Sequence, residues 1–290
     1  MLCTALRSRI AGGWGDQTGS TEQVKPMGPT VLRLGRFAIS SYAALVSLGI
    51  LLGFAVTCLV ARWRRLDLVS AMDAALWSLV AGIIGGRIAY VAIYWPYFSS
   101  HPRQIVSLSQ GGLAFQGAFL SGVLGLLAYS LWNRVSFWEL ADTVVPGLAV
   151  GQSVGWIGCL FAGCGYGLVT RGLLAYDLRD IYGIMAFRYP TQVMISVLNL
   201  GIFVVLLILA TTRARHRLAP GMLAAVYLAL NSAGLFFLEF LRADETLYFG
   251  TLRWSQVVEG IEFAAALLAV AILWTWRKRA AASGNSGSSS

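Results

Sequence analysis

The stretch AALWSLVAGIIGGRIAYVAIYW, residues 74–95, decides how the chain is read. It is almost wholly apolar, and its one charge, Arg87, directly follows Gly85 and Gly86. At about 1.5 Å per residue, such a helix crosses the roughly 30 Å hydrocarbon core of a bilayer. A cation at that depth costs about 2.5–3.5 kcal/mol on insertion scales, so it must face a protein interior or a wet cavity that offers an acceptor. The two glycines have no side chains and let a neighbouring backbone or a ligand come close. Together these residues predict that the chain holds something anionic inside its membrane region.

Reading outward, the sequence predicts seven spans, near 39–61, 72–95, 112–132, 141–161, 191–211, 221–241 and 254–276. The expectation is an all-α polytopic membrane protein, because lipid leaves backbone groups no partners outside the helix. Composition agrees: 57% of residues are hydrophobic and 12% charged, about half the charged share of a soluble domain, and mean hydropathy is +0.69. The division expected is a polar tail over 1–38, a membrane domain over 39–277 and a low-complexity tail over 278–290 ending SGNSGSSS. Residues 1–30 lack the apolar core of a signal peptide, and Met27 is an alternative start.

The net charge of +9 sits mainly at helix ends, as topology requires, so no nucleic-acid partner is expected. The connections after spans one, three and five, with the C-terminal tail, carry ten Lys/Arg, and the opposite short loops carry six. The positive-inside rule then puts the N-terminus outside and the C-terminus in the cytoplasm.

With that topology, polar residues of all seven spans gather at the outer level: Tyr42, Arg87, Gln116, Trp156 with Cys159 and Cys164, Gln192, Glu239 with Arg242, and Gln256. Simpler readings stand beside each. Glu239 and Arg242 suit a helix-end ion pair, Gln116 an interhelical hydrogen bond and Trp156 an interfacial aromatic. Glu259 and Glu262 share a helix face and could neutralise Arg87 or Arg242. Asp142, at the opposite level, is expected to cap its own helix. Cys159 and Cys164 have no histidine or second cysteine pair nearby, so no metal or cofactor is expected; a disulfide and simple packing both remain open. His101 and His216 fall in loops on opposite sides, which excludes histidine as a general base in the core.

The pieces ISSYA (39–43), GGRIAY (85–90), GGLAFQG (111–117), AD (141–142), GWIGCLFAGCGYG (155–167), PTQ (190–192), LEFLR (238–242) and SQ (255–256) occur in this order. In that order they resemble the prolipoprotein diacylglyceryl transferase family over nearly the whole membrane part. The resemblance implies seven spans with the N-terminus outside, in a bacterial inner membrane. It implies transfer of a diacylglyceryl group from phosphatidylglycerol to the lipobox cysteine thiol of secreted lipoprotein precursors. Carried over, Arg242, Glu239 and Gln116 take catalytic roles, and Arg87, Tyr42, Gly85, Gly86, Trp156, Cys159, Gln192 and Gln256 bind substrate. Arg87 and Arg242 would hold the lipid phosphate.

This chain departs from the family at several polar positions. Gln116 stands in place of a histidine, Trp156 of an arginine and Cys159 of an asparagine. Asn231 and Leu235 replace a tyrosine and an arginine, and Ile195 a glutamate. No general base is identifiable, since a glutamine amide does not titrate near neutral pH. The alternative is a non-catalytic relative that binds lipid or serves as a subunit of a membrane complex. A transporter is disfavoured, because the charges gather at one face and no inverted repeat is present.

Overall fold

The computed structural model describes residues 30–34, 37–107, 112–211, 218–244 and 246–286. His216 and Gly111 lie outside them, as do the tails over 1–29 and 287–290. The described residues contain seven helices long and apolar enough to cross a membrane. These are α1 (Ser41–Arg64), α2 (Leu68–Ile93), α3 (Phe115–Asn133), α4 (Phe137–Ala162), α5 (Thr191–Thr211), α6 (Met222–Leu238) and α7 (Trp254–Ser286). The short hairpin β1 (Thr30–Leu34) and β2 (Phe37–Ser40) precedes α1. The hairpin β3 (Tyr176–Arg179) and β4 (Met185–Arg188) joins α4 to α5. Strands β5 (Tyr248–Phe249) and β6 (Leu252–Arg253) lead into α7.

Local chemistry sets the helix ends. Ser40 accepts the Ala43 N–H at 3.2 Å and starts α1, which ends where Arg65 turns left-handed at φ 58°. Asp67 accepts the Ser70 N–H at 2.8 Å and starts α2 earlier than hydropathy predicts. The Ser70 N–H, and then its hydroxyl, hold the Asp67 carboxyl below its ordinary pKa.

Close helix approach builds the bundle. Helices α1 and α4 meet through Gly49 and Gly53 on one and Gly147 and Gly151 on the other. A Cβ placed on Gly49 would lie 2.7 Å from the Gly151 carbonyl oxygen, and one on Gly53 2.9 Å from that of Gly147. With lipid as solvent, such backbone proximity supplies the packing energy that water would otherwise drive. Helices α2 and α3 meet likewise. A Cβ on Gly85 would lie 3.2 Å from the Gly117 oxygen, and one on Gly86 3.0 Å from the Ala118 Cβ. The glycine pair therefore serves a neighbouring helix. Large apolar side chains such as Leu51, Ile88, Leu131 and Val197 stay exposed around the bundle, as a lipid-facing belt requires.

The expectation for Asp142 is corrected. Helix α4 begins at Phe137, five residues before it, so Asp142 is too deep to cap its own helix. It is fully buried and accepts the N–H groups of Gly221 and Ala224, each at 2.9 Å. These are free donors at the start of α6, so Asp142 caps a different helix. Arg64 at the end of α1 reaches the same carboxylate at 3.1 Å.

An apolar cavity of about 660 Å³ runs between the helices, from Phe115 at the start of α3 to Trp138 near the start of α4. Phe54, Leu79 and Phe119 line it. Gln152 is a polar group on its wall and accepts the hydroxyl of Tyr227 at 2.8 Å.

Candidate active site

Helix α6 ends in a single 3-10 turn, Glu239–Leu241, which places Glu239 and Arg242 on one side of the chain. Glu239 is 2% exposed and pairs with Arg242. Its second oxygen faces the Arg253 Nε at 2.7 Å. Arg242 also grips Asp244 with two donors, Nε to Oδ1 at 2.9 Å and Nη2 to Oδ2 at 2.6 Å. Arg253 completes the set, donating from Nη2 to Asp244 at 3.0 Å and from Nη1 to the Arg242 carbonyl at 3.1 Å. Burial works against the charge of Arg242, but Asp244 and then Glu239 outweigh it and raise its pKa above the ordinary value.

The wall beside this cluster comes from the end of α4. The Trp156 ring lies 5.6 Å from the Arg242 guanidinium carbon, a cation–π contact. Cys159 and Cys164 form a disulfide that spans the helix end, where Gly163 turns left-handed at φ 77°. The segment that follows is tied down on both sides. Cys164 and Gly165 carbonyls accept Gln192 Nε2 at 3.0 Å and Thr191 Oγ1 at 2.7 Å, both from the start of α5. Leu168 donates to the Leu241 carbonyl at 2.8 Å, and Ala243 to that of Tyr166 at 2.9 Å. Gln256, 2% exposed on α7, accepts the Arg253 N–H at 3.0 Å and so fixes the residue that pairs with Glu239.

Six residues expected from sequence thus share one place: Glu239, Arg242, Trp156, Cys159, Gln192 and Gln256. Tyr42, half-buried in the first turn of α1, packs against Gly158 on the same stretch of α4. Gln116 is half-buried in the first turn of α3, next to the Gly117 that packs on α2.

Arg87 is engaged differently. It is 8% exposed and donates to the backbone carbonyls of Gln104 (2.6 Å), Ile105 (2.8 Å), Ser107 (2.8 Å) and Gly112 (2.9 Å). Tyr90 and Phe98 rings lie 5.8 and 5.3 Å from its guanidinium carbon. Among the described residues, carbonyl dipoles of the loop between α2 and α3 help offset its burial.

Sequence reasoning missed Arg253 and Asp244. Both lie in connecting chain with no periodic signal, and Arg253 read only as one of the topology-setting loop charges. It also missed the buried pair of Arg188 and Asp180 at 2.9 Å, which braces the β3–β4 hairpin. Arg188 stacks on Tyr166, 4.9 Å from the ring centre. The signal available was the pairing of an acid and a base eight residues apart around a Gly-containing turn.

The family described as "Prolipoprotein diacylglyceryl transferase" matches residues 29–276. Among relatives named phosphatidylglycerol–prolipoprotein diacylglyceryl transferase, that of a Nostoc species is 33% identical over 261 residues, covering 87% of this chain and 91% of its own. That of Synechococcus elongatus is 31% identical over 256 residues, covering 86% and 88%. That of Listeria monocytogenes is 30% identical over 242 residues, covering 81% and 86%. With seven membrane helices, the ordered motifs and a match along nearly its whole membrane part, this chain belongs to the prolipoprotein diacylglyceryl transferase family.

Proposed function

We propose that this protein transfers the diacylglyceryl group of phosphatidylglycerol to the cysteine thiol of a lipobox-containing precursor. The observation that carries the reading is the guanidinium cluster at the end of α6, covered by Trp156, which directly follows Gly155 in the lining of an apolar cavity of about 660 Å³ that suits acyl chains. In this reading the lipid tails enter among the helices while the phosphate meets Arg242. The thiol gives its proton to water, its sulfur attacks the diacylglyceryl carbon that bears the phosphate, that C–O bond breaks, and glycerol phosphate leaves with the bonding electrons. Charge grows on the leaving phosphate, and a preorganised guanidinium stabilises it where water is scarce. Glu239 orients Arg242, Trp156 covers its face, and Gln192 and Gln256 fix the surrounding backbone.

Arg87, Gly85 and Gly86 serve this site by shape, holding α2 on α3 and drawing in the loop that follows α2. Tyr42 and Gln116 border the lipid head group. The cluster faces the extracytoplasmic side of a bacterial inner membrane, the C-terminus lies in the cytoplasm, and membrane lipids surround the bundle. The loop-charge asymmetry supports this orientation.

The test is complementation. The chain is expressed in a bacterium depleted of its own transferase, and lipidation of a lipobox reporter is followed with labelled fatty acid. Labelling that disappears in Arg242→Gln is expected. A folded, inserted parent chain that gives no labelling would sink the activity and favour the non-catalytic relative.

A further inference from the structure

Asp244 holds the Arg242 fork in the side-on, two-point manner that guanidinium groups use for carboxylates and phosphates alike. Arg253 touches the same carboxylate from a second direction. One small anion thus collects N–H donors from two guanidiniums. Resting on the transfer reading above, we propose that Arg242 and Arg253 form a single phosphate subsite, and that the Asp244 carboxylate occupies it until the lipid phosphate displaces it.

Three features support this arrangement. The two carboxylates of the cluster differ in access to water: the Glu239 side chain is 2% exposed, whereas that of Asp244 is 24% exposed. Asp244 also follows the 3-10 turn in connecting chain, while Glu239 is fixed at the helix end. Departure of Asp244 to water therefore leaves both arginines held by Glu239. Charge points the same way. Two guanidiniums beside Glu239 and Asp244, with the buried Glu259 carboxyl also acting on both arginines, carry no net positive charge and attract a phosphate anion weakly. When Asp244 leaves, one negative charge is removed from in front of that anion. Finally, Arg253 is fixed from several sides, by Glu239, by the Arg242 carbonyl and by Gln256 on its own N–H. It is pre-set to act with Arg242, which lowers the ordering cost of binding.

The experiment measures binding of short-chain, water-soluble phosphatidylglycerol to the purified full chain by calorimetry, beside its transfer activity. Asp244→Asn, which keeps shape and removes the competing charge, is expected to tighten binding by about 2–5-fold, the size of a partly exposed charge pair. Arg253→Gln is expected to weaken it by about 10–100-fold, the loss of a charge-assisted contact. Arg253→Lys should fall between, since it keeps the charge without the fork. Arg171→Gln, on an exposed loop, removes the same charge and should bind like the parent.

A purely structural role for Asp244 predicts weaker binding in Asp244→Asn. Binding weakened or unchanged in that variant overturns the displacement, and parent-like binding in Arg253→Gln overturns the shared subsite. If Asp244→Asn does not fold, the Arg253 pair still decides the shared subsite, and Asp244→Ser decides displacement. A parent chain that binds lipid as expected but transfers nothing would count against the activity alone.

Discussion

Glu239→Gln tests the cluster most directly. Glu239 is held between two arginines, and each of its oxygens faces a different guanidinium. The glutamine carbonyl can still accept from one of them, but its NH2 group meets the donors of the other. The change therefore removes one charge-assisted bond, worth about 1.5–3 kcal/mol, and sets donor against donor in a buried place. If Glu239 orients Arg242 for the transition state, transfer should fall by about 10–100-fold, at 1.4 kcal/mol per tenfold. The assay uses purified protein in detergent, labelled phosphatidylglycerol and a lipobox peptide, with thermal unfolding followed in parallel. Arg242→Gln should cost at least as much. Because the two residues act through one contact, the double variant should be no worse than about the larger single loss. Glu239→Gln with transfer within about twofold of the parent would refute the orienting role. Fully additive losses would refute the coupling.

Reduction of the Cys159–Cys164 bond, or Cys159→Ser, should lower stability by about 2 kcal/mol, the chain-entropy value for so short a loop; denaturant midpoints measured with and without reductant check this. Asp142→Ala strips the cap from α6 and leaves buried donors at Gly221 and Ala224, each costing about 1–3 kcal/mol. It should therefore lower the unfolding midpoint much more than Asp142→Asn, which retains an acceptor, and equal losses in the two variants would argue against capping across helices. Asp67 has a folded pKa below its unfolded value. Its contribution to the start of α2 should accordingly be present above the ordinary carboxylate pKa of about 3.9 and fade as pH falls through the lowered value. Hydrogen exchange at the Ser70 amide should show this, and Asp67→Asn should abolish the acid dependence.

The seven helices were legible in the sequence because lipid imposes a simple demand, long apolar runs with internally paired backbones. The close approach at Gly85 and Gly86 was legible too, since close packing without a hydrophobic driving force selects small residues. Glu239, Arg242 and Gln256 were readable as groups in need of partners because few polar groups are carried at membrane depth without a reason. Their partners were not readable. Arg87 required an acceptor by its burial cost alone, yet whether that acceptor was a ligand, a carboxylate or a loop carbonyl depended on how the chain returns after α2. Asp142 looked like a cap and is one, but for α6, a helix brought near it only by the fold. Arg253 and Asp244 carry no periodic signal, and they became part of the cluster when the connection between α6 and α7 folded back over Glu239. Sequence by itself determined which segments enter the membrane and which polar groups must find partners there. The tertiary structure decided which partners they found, because hydrogen bonds and ion pairs act over a few ångströms and those distances exist only once the helices have crossed.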